Sequence, residues 1–168
     1  MRWQLLIFAA IFSTTANAQR IDSSSNPYAI VLQDGYKPLL HQRNANRVLG
    51  SWSVLSMGAG AYQFFSPNPL IKAMGMQNLI WGMVDGGIAL YGSHQLSNTD
   101  WSSKNLQQER EKFRKILLIN TLLDVGYLAL GFGLANAANA KWHGHGQGIL
   151  IQGGFLLLFD GINYVLTF

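Results

Sequence analysis

The 168-residue chain has no cysteine, which excludes disulfides, thiolate catalysis, iron–sulfur clusters and cysteine-ligated zinc. It is also short of charge. Asp, Glu, Lys and Arg make up 12% of it, against roughly 25% in soluble domains, and that deficit points to a membrane. It contains no phosphate-binding glycine loop, nucleophile elbow or metalloprotease helix, so no catalytic residue can be named and no enzyme is expected. His41, His94, His143 and His145 all lie outside the apolar segments, which argues against a haem held inside a helix bundle. His143-Gly144-His145 sits in a glycine-rich link without a third ligand, so neither a metal nor a cofactor is expected.

What the chain has in quantity is apolar residues, at 49%. The N-terminus carries Arg2, an apolar run from Leu5 to Phe12 and Ala16-Asn17-Ala18, the three parts of a secretory signal. Residues 1–18 are therefore expected to be cleaved. Residues 19–37 are polar, with Ser23-Ser24-Ser25-Asn26-Pro27 and Asp34-Gly35 as turn signals, and predict an extended arm. Helix is expected from near Pro38, followed by four apolar segments at about 48–65, 70–91, 116–135 and 148–168. Each is long enough to cross about 30 Å of hydrocarbon at about 1.5 Å per residue. The turn Ser66-Pro67-Asn68-Pro69 makes the first two an antiparallel hairpin. Glu111 and Lys115, at a favourable i,i+4 spacing, predict a third helix that starts before its apolar run. Residues 136–147 read as a short loop.

Asp85, Asp124 and Asp160 each fall within an apolar segment, where an acid costs roughly 2.5–3.5 kcal/mol to insert. Counted from the helix ends they lie at one depth with Ser56, roughly 9–12 Å from the face that carries the arm. With Asn120 and Asn163 they form the expected polar layer, and Gln77 and Gln152 lie on the same stripes. No lysine or arginine shares that depth, so low dielectric and mutual repulsion hold a proton on at least one carboxyl. Two readings follow: a proton or cation site, or a set of hydrogen bonds that pairs helices.

The second and fourth segments share glutamine, aspartate eight residues on, and then glycine: Gln77, Asp85 and Gly86 against Gln152, Asp160 and Gly161. The first and third match through Gly58 and Gly126. The pattern predicts two repeated helical hairpins in parallel orientation. Gly60, Gly82, Gly86, Gly133 and Gly161 are expected helix-packing positions, because small residues let backbones approach where hydrophobic drive is absent. Arg43, Arg47, Arg110, Arg114 and Lys115 read as lipid-headgroup contacts rather than a nucleic-acid stripe. Orientation is contradictory: the signal places the arm in the periplasm, whereas the excess of Lys and Arg on that side favours the cytoplasm. An inner membrane with a periplasmic arm is the preferred reading, and an outer membrane stays open.

The stretch from Arg47-Val48-Leu49-Gly50-Ser51-Trp52 through Asn78-Leu79-Ile80-Trp81-Gly82-Met83-Val84-Asp85-Gly86-Gly87-Ile88-Ala89 resembles a family of uncharacterised small bacterial membrane proteins with four predicted spanning helices. The resemblance implies the helix count and no activity. The expected protein is an all-α transmembrane four-helix bundle of two hairpins. It would act as a non-enzymatic structural or accessory subunit in contact with lipid and with a protein partner or copies of itself. The alternative is a small proton- or cation-coupled transporter or channel built on the aspartate layer.

Overall fold

The computed structural model describes residues 27–98 and 106–167, so the signal and residues 19–26 of the arm lie outside the described residues. The described residues form four helices and no strand: α1 Pro27–Phe64, α2 Pro69–Ser97, α3 Leu106–Ala135 and α4 Ala140–Leu166. Two of them, over Gln107–Ala135 and Ala140–Leu166, are long and apolar enough to cross a membrane.

Two helix starts differ from expectation. α1 begins at Pro27 rather than near Pro38, so residues 27–37 are helical and not an extended arm. Proline is favourable in a first turn, where its missing N–H would be unpaired anyway, and the helix then runs on through Asp34-Gly35 and Pro38. α4 begins at Ala140, which takes His143 and His145 out of the loop and onto the helix. Here Asn139 is the decisive residue: its side chain accepts from the N–H groups of Lys141 and Trp142. Asn68 does the same for α2 by accepting from Leu70. Each cap satisfies helix-start donors that have no partner within the helix.

α1 packs on α2 and α3 on α4, and the two hairpins meet mainly through α2 and α4, while α1 and α3 scarcely touch. α2 and α4 run in the same direction, since Gly144 lies on Leu70 and Gly148 on Gln77. Glycine sets these approaches. A Cβ on Gly75 would stand 2.6 Å from Gln63 Cβ and 2.7 Å from the Phe64 nitrogen, and one on Gly60 2.7 Å from the Leu79 nitrogen. In the second hairpin Gly146 meets Leu134 and Ala135, and Gly131 meets Leu150. One constant shift along the chain carries Gly60, Gln63, Asn68, Gly75 and Leu79 onto Gly131, Leu134, Asn139, Gly146 and Leu150. The pairing of Asp85 with Asp160 would need a shift about one helical turn longer, and that of Gly58 with Gly126 a shorter one.

Each helix buries polar side chains and exposes apolar ones. Ser53, Ser56, Asn78, Asp85, Asp124, Gln152, Asp160 and Asn163 are buried, whereas Val54, Met83, Leu122 and Leu158, one from each helix, are more than half exposed. A small apolar cluster of Leu49, Ala89 and Phe155 remains inside, with Trp52 stacked on Phe155 at a ring separation of 4.0 Å.

Candidate functional site

Two polar assemblies occupy the interior. The first joins three helices by direct hydrogen bonds. Asn78 Nδ2 donates to Gln63 Oε1 (2.7 Å), Gln152 Nε2 donates to Asn78 Oδ1 (2.8 Å) and Ser56 Oγ (3.2 Å), and Trp52 Nε1 donates to Gln152 Oε1 (2.8 Å). Gln152 is 1% exposed and every polar atom of its amide finds a partner. Beside it, the Ser53 hydroxyl donates to the Gly82 carbonyl (2.7 Å). This assembly is satisfied, and it reads as structural.

The second surrounds a partly open cavity of about 270 Å³ between all four helices. Asp85 of α2, Asn120 and Asp124 of α3, and Asp160 of α4 line it, with Trp81 and Tyr127 on one wall. Asp85 is 1% and Asp124 3% exposed, and each keeps a buried Oδ2 without a hydrogen-bond partner. Asp160 lies within hydrogen-bonding reach of Asp124 and Asn120. Among the described residues no group of three His, Asp or Glu side chains stands close enough to hold a metal ion.

The expected polar layer is thus divided. Asp85, Asn120, Asp124 and Asp160 come together, while Ser56 belongs to the Gln152 assembly. Asn163 turns back on its own helix and donates to the Phe159 carbonyl (2.7 Å). Gln77 Nε2 pairs with His145 Nδ1 (2.9 Å), nearly two turns from the Asn139 cap of α4. Of the expected packing glycines, Gly60, Gly82 and Gly86 are seated against the neighbouring helix, but Gly133 and Gly161 have nothing within 4 Å of a Cβ position. They face outward because α3 and α4 make their close contacts at Gly131 and Gly146. Arg43, Arg47, Arg110 and Lys115 are exposed. Arg114 is half-buried, with Nη2 donating to Tyr164 Oη (3.2 Å) and the guanidinium 5.0 Å from that ring centre.

Ser53, Gln63 and Asn78 were not distinguishable as interior polar residues from sequence. Their helical spacing to Gly60 and Gly82 was the available signal, since small neighbours mark the face where another backbone approaches.

Residues 48–161 match a family of unknown function (DUF6992). The chain belongs to DUF6992. That range opens on α1 and closes one residue after Asp160, so the family region holds all three aspartates of the cavity and the Gln152 assembly. No curated protein and no solved structure matches this DUF6992 chain.

Proposed function

We propose that the protein is an integral membrane bundle of four spanning helices that carries protons or small cations through the cavity of Asp85, Asp124 and Asp160. The observation that carries this reading is the pair of buried, unpartnered Oδ2 atoms on Asp85 and Asp124. Polar side chains that pair helices end in satisfied hydrogen bonds, as the Gln152 amide does, because an unsatisfied buried polar group costs about 1–3 kcal/mol. Acids beside a cavity with an oxygen left unpartnered are suited to exchanging a proton or a ligand. Support for four spans comes from the exposed apolar side chains on every helix. α1 and α2 lack a stretch as apolar as those of α3 and α4, but their Ser53, Ser56, Asn78 and Asp85 are buried in the bundle and would not face lipid.

The constant shift relating the two hairpins supports a tandem repeat about an axis between α2 and α4, with a register different from the one that aligns the aspartates. In that register Trp81 and Tyr127 stand where Gln152 and Ser56 stand across the axis, so one side is sealed by hydrogen bonds and the other left open as the cavity. Duplication followed by unlike polar fillings is a route to one chamber rather than two.

The test is ion flux. Reconstituted in vesicles with a pH-sensitive dye inside, the wild type should dissipate an imposed proton gradient faster than empty vesicles, and Asp85→Asn or Asp124→Asn should slow it at least tenfold. A wild-type rate equal to that of empty vesicles contradicts transport.

A second reading, an accessory subunit, is favoured by Gly58, Gly126, Gly133, Gly154 and Gly161, whose Cβ positions meet nothing from this chain. Glycine gains nothing against lipid, and outward small residues suit a neighbouring helix of a partner or of another copy. Extraction in mild detergent as a lone monomer would contradict it. The family membership fits either reading; bacterial origin, an inner membrane and a cleaved signal belong to the same proposal and rest on sequence.

A further inference from the structure

We propose that the cavity binds a small organic ammonium ion, its charged head between Asp85 and Asp124 and its hydrocarbon part against the surrounding apolar wall. This rests on the transport reading and names its substrate class.

The chemistry of the walls separates the candidates. A bare metal cation needs a shell of several oxygens, and the described residues do not group three acidic or histidine side chains closely enough to supply one. The lining is instead mainly apolar, with Leu49, Ile88, Leu117, Leu156 and Phe159 around the carboxyls. Trp81 and Tyr127 meet edge to face at 4.9 Å and 77° on the same wall, and an aromatic surface attracts an alkylammonium group more than it attracts a neutral one. Two buried carboxyl oxygens without partners supply acceptors that an ammonium N–H would satisfy. A volume of about 270 Å³ lies just below the roughly 300–1,000 Å³ of drug-sized ligand pockets, so the guest is small.

Access also favours an amphipathic guest. Val84 and Ile88 on the rim are 47% and 53% exposed and give the cavity an apolar side entrance. Arg43, Arg47 and Lys115 are exposed on the parts of α1 and α3 that lead to it, and they repel a cation arriving along the helix axes. A protonated amine with a hydrocarbon body would partition into the bilayer and enter from the side.

The experiment is calorimetric titration of the full chain in detergent micelles with benzylammonium chloride, with benzyl alcohol as neutral counterpart and protein-free micelles as blank. Benzylammonium should bind saturably, one per chain, and benzyl alcohol at least tenfold more weakly. Asp85→Asn and Asp124→Asn should each weaken benzylammonium at least tenfold. Ile88→Trp, a change at a half-exposed rim position that leaves the acids in place, should block the entrance and also abolish binding. Equal affinity for alcohol and ammonium, or unchanged affinity in the folded Asn variants, overturns the assignment; if those variants do not fold, retained affinity in Ile88→Trp overturns it. Flux without ammonium binding removes this inference and leaves the transport reading, whereas binding without flux does the opposite.

Discussion

The interior polar residues divide by whether their hydrogen bonds close, and that division makes opposite forecasts for substitution. Gln152→Leu strips partners from Trp52, Ser56 and Asn78 at once, and each buried group left unpaired costs about 1–3 kcal/mol. Asp124→Asn replaces a carboxyl whose buried Oδ2 has no partner. Thermal unfolding in detergent should therefore fall by several degrees for Gln152→Leu and stay level or rise for Asp124→Asn; the reverse order would contradict the division. His41, on α1 ahead of the apolar segment, has a buried Nε2 without a partner and packs edge-on to Phe113 at 6.0 Å. Burial pushes its imidazole below the ordinary 6.5, although contact with the Asn163 backbone opposes the shift. The unfolded chain therefore binds the proton more readily, so stability is fully present above 6.5 and falls as pH drops below it. A His41 proton resonance that titrates below 6.5, with the acid-induced loss of stability reduced in His41→Phe, is the expected result. The aspartates were legible in the sequence because an acid in an apolar run is expensive. Ser53 and Asn78 were not, since such residues are tolerated on either face and only packing decides which.

At the scale of the helices, glycine contacts set how closely the two helices of each hairpin approach. A Cβ at Gly146 would overlap the Leu134 and Ala135 backbone, whereas one at Gly133 meets nothing. Gly146→Val should abolish a stable folded monomer, and Gly133→Val should leave its thermal midpoint within about 2 °C, a change of roughly 0.5 kcal/mol or less. Equal tolerance of both, read by unfolding in detergent, would mean that α3 and α4 do not approach as described. The four helices and the proline-marked turn at residues 65–68 were visible in the hydropathy pattern. The start of α4 was not, because Gly144, Gly146 and Gly148 carry the local signature of a loop but serve as a contact surface for Leu70, Ala135 and Gln77. The proposed repeat register was likewise masked: Asp85 and Asp160 are the most conspicuous pair in the sequence, whereas the close helix contacts fall on quieter positions such as Gly75 and Gly146.

For the whole molecule, burial and polarity run opposite to a protein dissolved in water, where charged side chains cover an apolar core. Here Asp85, Asp124 and Gln152 are within and Leu90, Leu122 and Val165 are without, an arrangement that fits the proposed membrane bundle, whose exterior would face hydrocarbon. The cavity follows from the same arrangement: two hairpins joined along α2 and α4 leave α1 and α3 apart, and the acids fill the interior between them. The absence of cysteine makes the decisive measurement clean. Single cysteines placed at Val54, Met83, Leu122 and Leu158 in turn, one per helix, are spin-labelled in the full chain reconstituted in liposomes, and relaxation by oxygen is compared with relaxation by a water-soluble nickel chelate. All four labels should be accessible to oxygen and shielded from nickel, as side chains in hydrocarbon are; nickel access at α1 or α2 matching that of a free label in buffer would contradict a bundle that spans the membrane with all four helices.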